Sequence, residues 1–220
     1  MKTKIILTED GSHTLFIPRM NERYHSVHGA IREAEHVFIR AGLAAVPAPS
    51  IRVYEVGLGT GLNLLLTWKY AVQNNKEIVY HGIEKYPLPE EVISRLNYGD
   101  LLGDEAKRIF TGIHRAPWNK DTKLDAGFIF RKICGDVHTC RMELTPDVVY
   151  FDAFGPDKQP DMWNIELFEK IYLAMRPAGL LVTYSSKGSV KRMLKETGFT
   201  VETLSGPPGK REMLRAVKTI

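Results

Sequence analysis

The sequence predicts a doubly wound α/β domain, a mostly parallel sheet covered on both faces by helices. Three observations predict it. From residue 51 onward, short apolar runs alternate with stretches of helical spacing, the pattern of strand–helix–strand crossovers. A glycine-rich turn, Gly57-Leu58-Gly59-Thr60-Gly61, joins the first such run to the first such helix. Acidic residues stand at the ends of later runs, and in such sheets ligands sit beyond the carboxyl ends of the strands.

The elements follow in order. Residues 5–7 and 15–17 flank Glu9-Asp10-Gly11-Ser12, and Asp-Gly between apolar runs reads as a hairpin. Residues 27–43 carry helical spacing, with Ile31, Ala34, Val37, Phe38 and Ala41 on one side. Gly42 and the Pro47/Pro49 pair close that helix. Residues 1–50 thus read as a hairpin-and-helix extension packing on a catalytic domain of residues 51–220. In that domain strands are expected at 52–56, 78–83, 128–133, 147–151 and 179–184. Helices are expected at 62–72, 89–96, 165–175 and 189–197. Residues 200–204 and 213–217 form a closing antiparallel pair.

Composition narrows the class. The chain has 220 residues, of which 44% are apolar and 25% charged, ordinary values for one globular α/β domain. No apolar run approaches the ~20 residues of a membrane span. The N-terminus meets Glu9 and Asp10 too soon to read as a signal peptide. Two cysteines make no disulfide framework, so a reduced, cytoplasmic protein is expected. The net charge is only +4, but residues 181–220 hold eight basic side chains against three acidic ones. That quarter suits a polyanion such as RNA, or simply a solvated face.

Glu55-Val56-Gly57-Leu58-Gly59-Thr60-Gly61 carries the strongest chemical signal. A dinucleotide fingerprint reads G-x-G-x-x-G. Here the third glycine comes one position early, and Glu55 precedes the first by two. That form is similar to the first motif of class I S-adenosylmethionine-dependent methyltransferases, Rossmann-like enzymes in which the loop takes the amino-acid end of the cofactor. Glu84 ends the second strand, where a carboxylate can accept from both ribose hydroxyls. Gly135-Asp136-Val137 follows the third, where Asp136 can accept from an adenine amino group while Val137 packs the ring. Phe151-Asp152-Ala153-Phe154-Gly155-Pro156 follows the fourth and borders the transferred group in such folds. A carboxylate there can take a proton from an amine or steady the charge that grows on it, and Phe154 can stack on a base. Cys134, His138 and Cys140 lack a fourth ligand at metal-site spacing, and only some of His25, His28, His36, Glu33 and Glu35 share a helix face, so no metal is expected.

Beyond these motifs, the chain resembles the methyltransferase halves of the bifunctional tRNA 5-methylaminomethyl-2-thiouridine biosynthesis proteins, the MnmC family. The resemblance rests on Glu55 to Asn63, on Phe151-Asp152-Ala153-Phe154-Gly155-Pro156-Asp157-Lys158-Gln159-Pro160-Asp161-Met162-Trp163, on Tyr184 to Arg192, on Gly209-Lys210-Arg211-Glu212-Met213-Leu214, and on Gly29 to Phe38. It implies methyl transfer from S-adenosylmethionine to the primary amine of a 5-aminomethyl group on the wobble uridine of tRNA. Asp152 then matches the catalytic aspartate, and Glu33, Gly57, Gly59, Asn63, Glu84 and Asp136 fall at cofactor positions, with Glu55, Thr60 and Val137 beside them. Phe154 and Trp163 are candidates to receive the splayed base, and Lys158, Lys210 and Arg211 to hold the anticodon loop. A chain of this length has no room for the family's flavin-dependent oxidase half. FAD is therefore not expected, and an upstream enzyme must supply the amine. Two other functions remain open on the same fold: an aminopropyltransferase of the polyamine type, and a non-catalytic RNA-binding protein.

Overall fold

A computed structural model describes residues 3–219. The chain begins with a small antiparallel sheet of β1 (Lys4–Leu7), β2 (His13–Ile17) and β3 (Glu22–Arg23). The expected hairpin is present, and β3 adds a strand that the sequence does not announce. The helix expected from residue 27 begins later, as α1 (Ala30–Ala34), and continues as a π-helical turn over Glu35–Arg40. Its start is set by the hairpin turn. Asp10 accepts from Arg32 N at 3.0 Å and Ser12 Oγ accepts from Ala30 N at 3.1 Å, satisfying first-turn N–H groups from outside the helix.

The main sheet follows: β4 (Ser50–Val56), α2 (Leu62–Asn74), β5 (Glu77–Glu84), α3 (Glu90–Ile93), α4 (Tyr98–Leu102), α5 (Asp104–Arg115), β6 (Thr122–Asp125), β7 (Phe128–Cys134), β8 (Val148–Phe151), α6 (Ile165–Ala174), β9 (Leu180–Thr183), α7 (Gly188–Glu196), β10 (Phe199–Ser205) and β11 (Glu212–Lys218). The strand order is β10-β11-β9-β8-β4-β5-β7-β6. β4, β5, β7, β8 and β9 pair in parallel, while β6, β10 and β11 run antiparallel to their neighbours. The fold class read from the sequence is the one observed. The stretch 97–125 adds α4, α5 and β6, none of which the strand-and-helix reading places. The helix expected at 89–96 shrinks to the single turn of α3.

The sheet reverses its order between β4 and β8, because the chain leaves β4 toward β5 and β7 and later returns to β4's other side. That switch point opens a crevice at the strand ends. Each face of the sheet carries its own core. Leu64, Leu65, Trp68, Phe110 and Ile113 cover one, and Trp163, Phe168, Ile171 and Leu194 the other. The N-terminal residues Leu15, Ala34, Val37, Phe38 and Leu43 belong to the first core, so the segment before residue 50 is built into the sheet's covering layer.

Phe38 is 2% exposed and its ring lies 5.2 Å from that of Tyr150 in β8. Phe38→Ala should therefore cost about 3–5 kcal/mol, the range for a deleted core aromatic. Urea unfolding checks it; a loss near zero would show that residues 1–50 contribute little to the core.

Candidate active site

The site is built where β4 meets α2. Gly57 N and Leu58 N both donate to Ile83 O, at 3.0 and 3.1 Å, which ties the loop to the end of β5. Gly57 has φ 91°, and a Cβ there would lie 2.7 Å from Asp152 O. Glycine is demanded at this point because the loop must pass against the backbone leaving β8. Beyond it, the pocket runs from Gly135 and Asp136 at one end to Asp152, Phe154 and Tyr184 at the other.

A buried polar chain underlies the loop. Tyr80 OH donates to Glu55 Oε2 at 2.5 Å. Asn63 Nδ2 donates to Glu55 Oε1 at 2.8 Å and to Asp152 Oδ2 at 2.9 Å. Two carboxylates facing one amide nitrogen fix the orientation of Asn63, since its oxygen in that place would repel both. Burial pushes the Glu55 carboxyl well above the usual range, with the Asp152 charge adding to it and the bonds from Tyr80 and Asn63 opposing. Glu55 is fully buried and lies outside the pocket lining, beneath Asn63.

Asp152 lines the pocket and is partly exposed to it. Burial raises its pKa to about 7, the charge of Glu33 adds to this, and the Asn63 bond and the Lys210 charge oppose it. A carboxyl poised there exchanges a proton near neutrality.

The residues expected at the nucleoside end come together. Glu84 accepts from Gly59 N at 3.0 Å and from Tyr86 N at 2.8 Å, so its carboxylate is fixed against the loop. Asp136 accepts from His138 N at 2.9 Å and pairs with Lys85 Nζ at 2.9 Å; the bond from Lys85 leads the causes that lower its pKa. Val137 is buried on the wall beside it. Gly59 and Thr60 complete the lining. Among the described residues no group of three or more His, Cys, Asp or Glu could hold a metal ion.

The acceptor end differs more from expectation. Phe154 lines the pocket edge-on to Tyr24, with ring centroids 5.1 Å apart. Tyr184 closes that end and donates to Ala153 O at 2.8 Å. Trp163 does not reach the pocket. It is 5% exposed, donates to Phe154 O at 2.7 Å and packs on Phe151, so it is core. Glu33 also lies outside the lining: it accepts from Ser26 N at 2.7 Å and from Lys210 Nζ at 2.8 Å. Lys210 is thus turned inward, its Nζ 3.8 Å from the Tyr184 ring centroid, and is not a free surface cation. Lys158 is exposed and donates to Met20 O at 3.1 Å, while the Arg211 side chain is 94% exposed. Tyr24, His25, Lys85, Tyr86 and Tyr184 line the pocket without having been singled out as binding residues. Lys85, Tyr86 and Tyr184 each directly follow a strand end, the same signal that marks Asp136 and Asp152.

A doubly wound sheet with a glycine loop and paired acids at its switch point defines an α/β enzyme that holds a nucleoside. Residues 108–219 match the S-adenosyl-L-methionine-dependent methyltransferase family. The chain belongs to that family. It is 32% identical over 226 residues to the tRNA 5-methylaminomethyl-2-thiouridine biosynthesis bifunctional protein MnmC of Cupriavidus metallidurans, covering 94% of this chain and 33% of that protein. The protein of the same description in Burkholderia multivorans is 32% identical over 230 residues, with coverage of 94% and 33%. The chain therefore spans about a third of the length of these curated relatives. Among solved structures, MnmC2 from Aquifex aeolicus superposes with a TM-score of 0.80 at 28% identity, covering 98% of this chain and 69% of that one. Spermidine synthase from Thermotoga maritima, with a TM-score of 0.59 at 12% identity and coverage of 98% and 68%, shares the fold alone.

The residues present fit S-adenosylmethionine. Glu84 and Asp136 offer acceptors on the pocket wall, and Asn63 keeps a buried Oδ1 without a partner.

Because burial raises the Asp152 pKa, the native state binds its proton more tightly than the unfolded chain does. Its cost to stability is absent below pH ~4, grows as pH rises toward 7, and is complete above that. Asp152→Asn removes this cost. The variant should be more stable than the parent at pH 8, by on the order of 1–4 kcal/mol, and equal to it near pH 4. Thermal unfolding across that range checks the sign; a difference independent of pH would mean Asp152 titrates normally.

Proposed function

We propose that this chain transfers a methyl group from S-adenosylmethionine to the primary amine of a 5-aminomethyl-uridine, with or without a 2-thio group, at the wobble position of tRNA. One observation carries the reading: the Asp152 carboxyl, held by Asn63 and poised near neutral pKa, faces a pocket edged by Tyr24, Phe154 and Tyr184. Bound S-adenosylmethionine supplies a methyl on a positively charged sulfur, already activated for an amine. The printed description of the relatives, which names tRNA and 5-methylaminomethyl-2-thiouridine, supports the acceptor.

The side chains divide the work. Glu84 takes the ribose hydroxyls and Asp136 the adenine amino group, while Val137 packs the ring. An alkylamine is mostly protonated in water and only its neutral form is nucleophilic. Asp152 accepts that proton and then faces the ammonium that forms on the product. Asn63 keeps the carboxylate aimed, and the aromatic edges of Tyr24 and Phe154 receive a base splayed from the loop. Lys158 and Arg211 are the cations left for phosphates, since Lys210 is held by Glu33. The amine comes from an upstream enzyme, and the work is done in the cytoplasm.

The direct test incubates the protein with S-adenosylmethionine and tRNA bearing 5-aminomethyl-2-thiouridine, and reads digested nucleosides by mass spectrometry. A methylated amine is expected, and no reaction on tRNA still carrying the carboxymethylated precursor. Asp152→Asn should lower the rate on the order of 10²–10⁴-fold with cofactor affinity unchanged. Glu84→Ala should instead weaken the cofactor by ~1–3 kcal/mol in calorimetry. A variant at Asp152 that keeps most of its turnover removes it from the chemistry.

A further inference from the structure

One end of the pocket depends on a single turn of chain. Residues 136–140 follow β7 and carry Asp136 and Val137 into the pocket wall. Thr139 N and Cys140 N both donate to Asp136 O, at 3.1 and 2.8 Å, so the turn is one coil of helix. An isolated coil fixes several residues for few bonds and does not hold itself. Its start is capped from within, since the Asp136 carboxylate accepts from His138 N at 2.9 Å. Its far end leaves the carbonyls of Val137, His138 and Cys140 without a backbone N–H among the described residues.

Lys170 takes all three. It stands in α6, and its Nζ donates to Val137 O at 2.6 Å, to His138 O at 3.0 Å and to Cys140 O at 2.6 Å. An ammonium has three protons, and here each has a carbonyl. Asp136 pairs with Lys85 instead, at 2.9 Å, which leaves the charge of Lys170 to the coil. A cation opposite the free carbonyls of a helical coil stabilises it. The coil is also folded back on its start: a Cβ at Gly135 would lie 2.4 Å from Cys140 Sγ. Gly135 N in turn donates to Glu84 O at 3.0 Å. Holding Cys140 therefore keeps Asp136 in register with Glu84. Lys170 itself lies outside the pocket lining, so whatever it does for a ligand it does through the coil.

We propose that Lys170 is a positioning residue for the base of the cofactor: by gathering three carbonyls onto one ammonium it aims Asp136, and so sets the preference for a 6-amino purine. The inference rests on the reading of Asp136 as the acceptor of the adenine amino group, and adds the residue that makes that acceptor rigid. Three converging carbonyls call for a compact cation. The flat fork of an arginine does not offer three protons to one centre.

The test is binding, by calorimetry on the intact protein and on Lys170→Ala and Lys170→Met. Alanine is benign inside a helix, so the first variant spares α6 and reports on the coil. The second keeps an apolar stem and removes the donor. The probes are S-adenosylhomocysteine and S-inosylhomocysteine, which carries an oxygen in place of the 6-amino group. The parent should favour the adenosyl ligand about ten- to a hundredfold, the value of a hydrogen bond to a charged group. Both variants should lose most of that factor on S-adenosylhomocysteine and stay within about threefold of the parent on S-inosylhomocysteine. Propylammonium, the part of the side chain that Lys170→Ala deletes, should restore affinity and preference to that variant. Tetramethylammonium, a cation without N–H donors, should not. Variants that keep the parent's preference would overturn the inference, whether or not both ligands weaken together. So would a rescue that tetramethylammonium matches. A parent indifferent to the 6-amino group would overturn the assignment of Asp136 and this inference with it.

Discussion

The bond from which the rest of the site takes its shape is the one between Asn63 and its two carboxylates. Glu55 stands next to the end of one strand, Asp152 follows another, and Asn63 stands in the first turn of α2. Tyr80 on β5 completes the chain by donating to Glu55. Four elements are thereby pinned at the point where the sheet reverses its order. Two acids so close would repel if both were ionised, and burial makes that worse. The arrangement persists because Glu55 is pushed toward its neutral form while Asp152 keeps a pKa close to neutrality. One acid is enclosed in the architecture and the other faces the pocket. Their environments, rather than their identities, divide the roles.

The N-terminal segment is part of this logic. Its hairpin turn caps α1, its helix enters the core under the sheet, and Tyr24 and His25 form a wall of the pocket. Tyr24 lies so close to Gly59 that a Cβ there would be 3.2 Å from the ring. The glycine at 59 is thus a packing requirement of the wall as well as a conformational one.

Much of this was legible in the sequence. The strand ends expected at 56, 83, 133 and 151 lie within one residue of those observed, and residues just after them line the crevice. Most of what escaped has physical reasons. α5 was missed for no physical reason, since Ala106, Ile109, Phe110 and Ile113 repeat at helical spacing and are all buried. β6 is a four-residue edge strand with a register shift, too short and polar to announce itself. Trp163 and Phe154 are close in sequence, yet one faces the core and the other the pocket, a choice made by the 3₁₀ turn at Pro160–Met162. The inward turn of Lys210 was not readable at all. A lysine in a basic stretch looks solvated until its buried partner, far away in sequence, is known. Lys132 makes the same point: it is buried in β7, donates to His114 O and lies over Trp118, with burial lowering its pKa to about 8.

The Glu33–Lys210 pair joins residues 177 positions apart. Glu33 holds the backbone beside His25, and Lys210 sits in the turn between the last two strands. An earlier part of the chain is therefore fastened by one 177 residues further on. Such a closure is among the slowest kinds of contact to form, since the intervening loop must be ordered before it is rewarded. During synthesis the sheet can assemble around β4, β5 and β7 well before the pocket wall is secured. The wall formed by Tyr24 and His25 is accordingly locked by a contact whose loop-closure cost is among the largest in the chain.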